Sequence, residues 1–155
     1  MYMSNEKIRG TDDKNKHATV LVFGVFDGIH PGHRYLFRNA RKYGDHLVAA
    51  VARDEVVRRL KRHAPRLREG QRLGQVRKIS QINRAVLGDG KLGSYGVIHR
   101  IRPRVVCLGY DQDKLAADIR RRVREGYLPN MRLVRISALK PRKYKSSILR
   151  VSRMR

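Results

Sequence analysis

The sequence predicts an α/β domain of three layers, helices covering both faces of a parallel sheet of about five strands. Three observations point there. Short runs rich in Val, Leu and Ile alternate with segments of helical periodicity, as strands alternate with crossover helices. The runs are apolar without a break, which suits strands covered on both faces. The 155 residues suffice for one domain with a continuous core.

Val20-Leu21-Val22-Phe23 reads as the first strand, ending in a turn at Gly24. From Pro31 the spacing of Tyr35, Leu36, Ala40 and Tyr43 predicts a helix, stopped by Gly44. Leu47 to Val51 is the second strand, and Asp54 can cap a helix through Leu60. Pro65 and Gly70 punctuate a basic loop before a helix expected over Gln71 to Ile82. Within that helix Gly74 costs about 1 kcal/mol relative to Ala. Ala85-Val86-Leu87 is the third strand, and a Gly-rich loop leads to a short helix near Tyr95 to Ile101. Arg104 to Gly109 forms the fourth strand, Lys114 to Arg124 a helix, Met131 to Ile136 the fifth strand, and Ser146 to Ser152 a terminal turn or helix.

Composition sets the outer bounds. Met1 to Lys16 is polar and lacks the apolar stretch of a secretory signal, so residues 1–17 are expected to be a disordered leader to a domain over 18–155. No run of about 18 apolar residues could span a bilayer, and the cytoplasm is the expected compartment. Cys107 is the sole cysteine, which excludes an internal disulfide and a thiolate zinc site; it reads as a buried strand residue. Thirty-seven Lys and Arg against thirteen Asp and Glu give a net charge of +24, more than solubility needs. Such a field attracts polyanions, and by itself does not choose between a phosphate-handling enzyme and a nucleic-acid binder.

Chemistry concentrates in Phe23-Gly24-Val25-Phe26-Asp27-Gly28-Ile29-His30-Pro31-Gly32-His33, between the first strand and the first helix. Ligands of open α/β sheets bind beyond the carboxyl ends of the strands, and a helix N-terminus there favours phosphate. Gly24, Gly28 and Gly32 let the backbone turn and approach a ligand. His30 and His33, three residues apart, can face the same way at a helix start and donate to phosphate oxygens that gain charge. Taken as spacing alone, they could equally be two surface histidines flanking a turn.

This segment resembles the H-x-G-H superfamily of nucleotidyltransferases, which includes cytidylyltransferases, phosphopantetheine adenylyltransferases and archaeal-type FAD synthases. Further segments match in order over roughly residues 19 to 151: Val51-Ala52-Arg53-Asp54-Glu55, Lys61 in the basic loop, Glu69-Gly70-Gln71-Arg72 as the E-x-x-R, Leu108-Gly109-Tyr110-Asp111-Gln112, and Lys145-Ser146-Ser147-Ile148-Leu149-Arg150 as the end motif. The wording of Val51-Ala52-Arg53-Asp54-Glu55 and of Leu108-Gly109-Tyr110-Asp111-Gln112 is most similar to archaeal-type FAD synthase. Val25 stands where relatives commonly carry Thr.

The resemblance implies a Rossmann-like fold, many of whose members are dimers, so a homodimer is expected. It implies transfer of a nucleoside monophosphate to a phosphorylated acceptor with release of pyrophosphate, ATP and FMN being preferred to CTP and glycerol 3-phosphate. His30, His33, Lys61 and Arg72 would be catalytic, with Arg72 clamping phosphate and Lys61 otherwise part of a solvated cationic face. Phe23, Gly24, Val25, Phe26, Gly32, Gly109, Asp111, Ser146, Ser147 and Arg150 would bind the nucleotide; Asp27, Lys61 and Arg72 would meet the acceptor. Asp27 reads either as a fixer of its loop or as an acid near Mg²⁺, Asp111 as a hydroxyl acceptor or a plain turn residue, and Ser146 and Ser147 as phosphate donors or helix caps. No side-chain metal motif is present, so Mg²⁺ is expected through the triphosphate. A basic nucleic-acid-binding protein on a degenerate transferase fold is the rival from another class.

Overall fold

The computed structural model describes residues 2–4 and 17–139. Its sheet has six parallel strands in the order β1-β6-β5-β2-β3-β4. They are β1 (Tyr2–Ser4), β2 (Thr19–Gly24), β3 (His46–Val51), β4 (Arg84–Leu87), β5 (Val105–Leu108) and β6 (Arg132–Arg135). The helices are α1 (Pro31–Ala40), α2 (Asp54–Lys61), α3 (Glu69–Arg77), α4 (Gly96–Ile101) and α5 (Asp113–Arg124). The edge strand β1 is one more than expected and comes from the segment read as a leader; it pairs in register with β6, Met3 opposite Val134.

Strand residues alternate between two cores. Val20, Val22, Leu47, Ala49 and Cys107 pack under α1 and α3 with Phe37, Ala40 and Val76. Leu21, Val48, Ala50, Val106 and Leu108 pack on the other face under α4 and α5 with Val97, Ile98, Ala116 and Ile119. Both faces are therefore covered, which is why the strands read as unbroken apolar runs. Burial in β5 pushes the Cys107 thiol up, so it stays protonated and inert.

The chain winds from β2 outward to β3 and β4, then crosses back to place β5 on the other side of β2. The reversal opens a crevice beyond the carboxyl ends of β2 and β5, where Gly24 and Gly109 stand. The helix expected to reach Ile82 ends at Arg77. Ile79 and Ile82 are buried and keep a spacing of three, but their N–H groups bond to Val76 and Ile79 in single i→i+3 turns. Apolar spacing therefore survives where the helix does not.

Gly74 lies inside α3 with open space around the position of a Cβ. Gly74→Ala is expected to stabilise the domain by about 0.5–1 kcal/mol and raise Tm by about 1–4 °C. An unchanged or lowered Tm in calorimetry would contradict an unstrained, open position.

Candidate active site

The loop after β2 is shaped by two residues with positive φ, Phe26 (53°) and Gly28 (92°). A left-handed aromatic residue is costly, and here burial opposes the cost: Phe26 is 3% exposed. Its ring lies over Gly24, where a Cβ would come 2.5 Å from it, so position 24 excludes any side chain. The same ring meets His33 edge-on at 5.3 Å and Phe37 at 5.2 Å. Phe26 thus couples the loop's conformation to the placement of an imidazole.

His30 is the N-cap of α1, in extended backbone, with Pro31 following at the first helical position. His30 Nδ1 accepts from the Gly32 N–H at 3.0 Å, and His33 Nδ1 accepts from the His30 N–H at 3.4 Å. The two imidazoles form a reciprocal cap of the kind usually made by a hydroxyl and a carboxylate. Their rings stack at 3.8 Å, tilted by 23°. Since each Nδ1 accepts, each neutral ring carries its proton on Nε2.

Burial lowers the pKa of His30. His33 is driven down to about 3, first by burial, then by the charge of His30; a hydrogen bond with the Gly28 backbone opposes this, and Lys61 lowers it further. Both rings are neutral donors at pH 7. The consequence for stability has a definite sign. A histidine whose folded pKa lies below its unfolded value contributes stability above about pH 6.5, and loses it as pH falls toward about 3. Wild type is expected to lose about 1–2 kcal/mol more than His33→Gln between pH 7 and pH 5 in urea titrations. Parallel pH dependences would show that His33 is not buried neutral.

Asp27 accepts from the N–H groups of Arg66 (2.7 Å) and Leu67 (2.8 Å), one on each oxygen. Of its two readings, the structure has the loop-fixing one, and the tie draws the 62–68 loop over the histidine loop. Arg66 is carried with it: its guanidinium would sit 2.7 Å from a Cβ at Gly28. Nothing in the sequence marks Arg66 among its many cations; only the tertiary tie to Asp27 distinguishes it.

Arg72, which the resemblance implies as a phosphate clamp, is held inside the protein. It is fully buried and faces protein on all sides. Nε donates to Leu67 O (3.0 Å), Nη1 to Val25 O (2.8 Å) and Ala52 O (2.7 Å), and Nη2 to Asp54 Oδ1 (2.6 Å). Four of its five N–H groups are taken, so it has no fork to offer a phosphate. Burial raises the Asp54 carboxyl, but hydrogen bonds from Arg72 and with Glu69, and the Arg72 and Arg58 charges, outweigh that and hold it below its ordinary value. Glu69 in turn accepts from the Asp54 N–H at 2.8 Å. The E-x-x-R and the R-D-E segment are therefore two halves of one internal latch joining three loops.

Lys61, the last residue of α2, is exposed at the rim and close enough for its charge to act on His33. Across the crevice lies Gln112, whose role the sequence does not mark. Its Nε2 donates to Phe23 O (3.0 Å) and its Oε1 accepts from Gly109 N (2.8 Å), bridging the ends of β2 and β5. The Gly109 N–H is thereby engaged within the protein. Asp111 is exposed beside it. Ser146, Ser147 and Arg150 lie outside the described residues. Among the described residues no three His, Cys, Asp or Glu side chains converge as a metal cage, and no helix is long and apolar enough to cross a membrane.

Known proteins resemble this chain in sequence and in fold. The model of the cytidylyltransferase-like family matches residues 21–151. A protein named FAD synthase from Aciduliprofundum boonei is 39% identical, covering 86% of this chain and 85% of its own. Another of that name from Methanothermobacter thermautotrophicus is 40% identical over 67% of this chain and 72% of its own. Among solved structures, the lipopolysaccharide core biosynthesis protein of Thermoplasma volcanium superposes with a TM-score of 0.70 at 31% identity, over 79% of this chain and 98% of that one.

Proposed function

The chain belongs to the cytidylyltransferase-like family, and from that membership we propose that it is an FMN adenylyltransferase, making FAD and pyrophosphate from FMN and ATP. The observation that carries the reading is the pair of stacked, neutral imidazoles capping α1 at the crevice.

In this reaction an FMN phosphate oxygen attacks the α-phosphorus of ATP in line, and the bond to the β-phosphate oxygen breaks as pyrophosphate leaves. The protein need form no covalent bond. Nε2–H groups of His30 and His33 donate to oxygens that gain charge, while Lys61 and Arg66 supply cations at the rim. Arg66 thereby takes the phosphate role that the buried Arg72 is not free to fill. Mg²⁺ belongs to the substrate as the ATP complex, and both oxygens of Asp27 being engaged fits a metal held by triphosphate rather than by the chain. We place the reaction in the cytoplasm, with a homodimer as the working assembly.

The deciding experiment incubates the protein with ATP or CTP and with FMN or glycerol 3-phosphate, following pyrophosphate and product mass. FAD from ATP and FMN is expected. Turnover of CTP with glycerol 3-phosphate, and no FAD, would overturn the acceptor assignment and leave the family intact.

A further inference from the structure

The sheet splits at its centre. Strands β2 and β5 pair through Val20 with Val105, Leu21 with Val106 and Val22 with Cys107, and there their ladder ends. Each keeps its outer partner for longer: Gly24 still faces Val51 of β3, and Leu108 still faces Arg135 of β6. The two central strands therefore part after Val22 and Cys107, and the parting is the mouth of the crevice. Backbone groups at such a fork have lost their rungs and need other partners.

Gln112 supplies them. Its Nε2 donates to Phe23 O on one lip at 3.0 Å, and its Oε1 accepts from Gly109 N on the other at 2.8 Å. A primary amide carries the donor and the acceptor of a peptide group, so the side chain spans the fork as a substitute rung. The spacing it sets is passed on in both directions. Phe23 leads through Gly24 into the loop of Phe26 and the histidine cap, while Gly109 opens the turn before α5. That turn has an anchor of its own, Arg135 Nη2 donating to Tyr110 O at 2.8 Å, and α5 packs through Ala116 and Ile119. Each lip thus has its own supports, and what the bridge adds is the distance between them.

We propose that Gln112 is a positioning residue for nucleotidyl transfer, holding the β5 lip, and a nucleotide lying on it, at one fixed distance from the imidazoles that follow the β2 lip. The proposal rests on the transferase reading above and not on the choice of acceptor. A phosphorus misplaced by about 1 Å loses on the order of 100-fold in rate, so a bridge of hydrogen bonds outside the reacting atoms acts on kcat.

Gln112→Glu tests it. The carboxylate still accepts from the Gly109 N–H but sets an oxygen against Phe23 O, and the lips are pushed apart; the protonated acid donates to Phe23 O again and closes the bridge. Desolvation and the facing carbonyl raise the pKa of such a carboxyl above the ordinary value of about 4.3. At pH 8 this variant is expected to lose about 10- to 100-fold in kcat, with KM for ATP within about fivefold of wild type. Its kcat relative to wild type should climb at least about fivefold as pH is lowered from about 8 to about 5.5. Gln112→Leu should show the loss at every pH. Ile119→Val, in the core under α5, should lower Tm by about 1–6 °C and keep wild-type kcat, which separates positioning from stability. Turnover is read as pyrophosphate release with whichever acceptor the wild type uses, so failure to form FAD would count against the proposed acceptor and leave this comparison intact. Wild-type kcat in Gln112→Glu at pH 8, a ratio to wild type that stays flat with pH, or an equal loss in Ile119→Val would overturn the positioning role.

Discussion

His30→Ala and His33→Ala are each expected to lower kcat by about 100- to 1,000-fold, with the domain still folded. The magnitude is that of removing one preorganised donor to a developing oxyanion, about 2.7–4 kcal/mol. Both rings are already neutral, with their Nδ1 atoms occupied, so no proton has to leave before they donate. The two variants should differ in stability. His30→Ala removes the acceptor that caps Gly32 N, costing about 1 kcal/mol. His33→Ala also removes a ring packed on Phe26, and the left-handed Phe26 loses part of what holds it. Single-turnover kinetics at saturating ATP and FMN, with circular dichroism of each variant, is the check. Near wild-type turnover in either would remove that histidine from the mechanism.

Arg72→Met is expected to cost about 3–5 kcal/mol of folding free energy, a large part of the 5–15 kcal/mol typical of a domain. The change strands the Asp54 carboxylate, three carbonyls and the loops they belong to. Arg72→Lys should recover little, because an ammonium cannot reach four acceptors in one plane. Asp54→Asn combined with Arg72→Met should cost less than the sum of the two, since the stranded charge is gone. The pair's contribution is present above the ordinary carboxyl value of 3.8 and falls away as pH drops below it, because the folded Asp54 carboxyl is held lower. Urea unfolding at pH 7 and pH 3.5 measures all of this. A wild-type unfolding midpoint in Arg72→Lys, with only a raised KM for ATP or FMN, would restore the phosphate clamp.

Local pattern carried much of the architecture. The unbroken apolar runs in β2, β3 and β5, with breakers at Gly24, Gly44 and Pro103, sufficed to place parallel strands and their crossover helices. The reciprocal cap is local to residues 30–33, so the spacing of His30 and His33 allowed it, but the edge-on contact with Phe26 and the burial of His33 belong to the folded domain. The short edge strand β1 was not legible, since a three-residue strand in a polar segment has no periodicity to read and exists only by pairing with β6.

What each charged residue does was decided by the tertiary structure alone. In sequence Arg66 is one cation of a basic stretch, while Arg72 closes the E-x-x-R motif and so attracts the phosphate role. Contacts with Asp27, 39 residues away, bring one to the crevice, while contacts with Val25, 47 residues away, bury the other. Gln112 acquires its bridging role through Phe23, 89 residues distant. Hydrophobic periodicity is a short-range property of the chain and so determines elements and their order. Whether a guanidinium meets a carbonyl or a ligand depends on which loops the completed sheet brings together, and no spacing along the sequence records that.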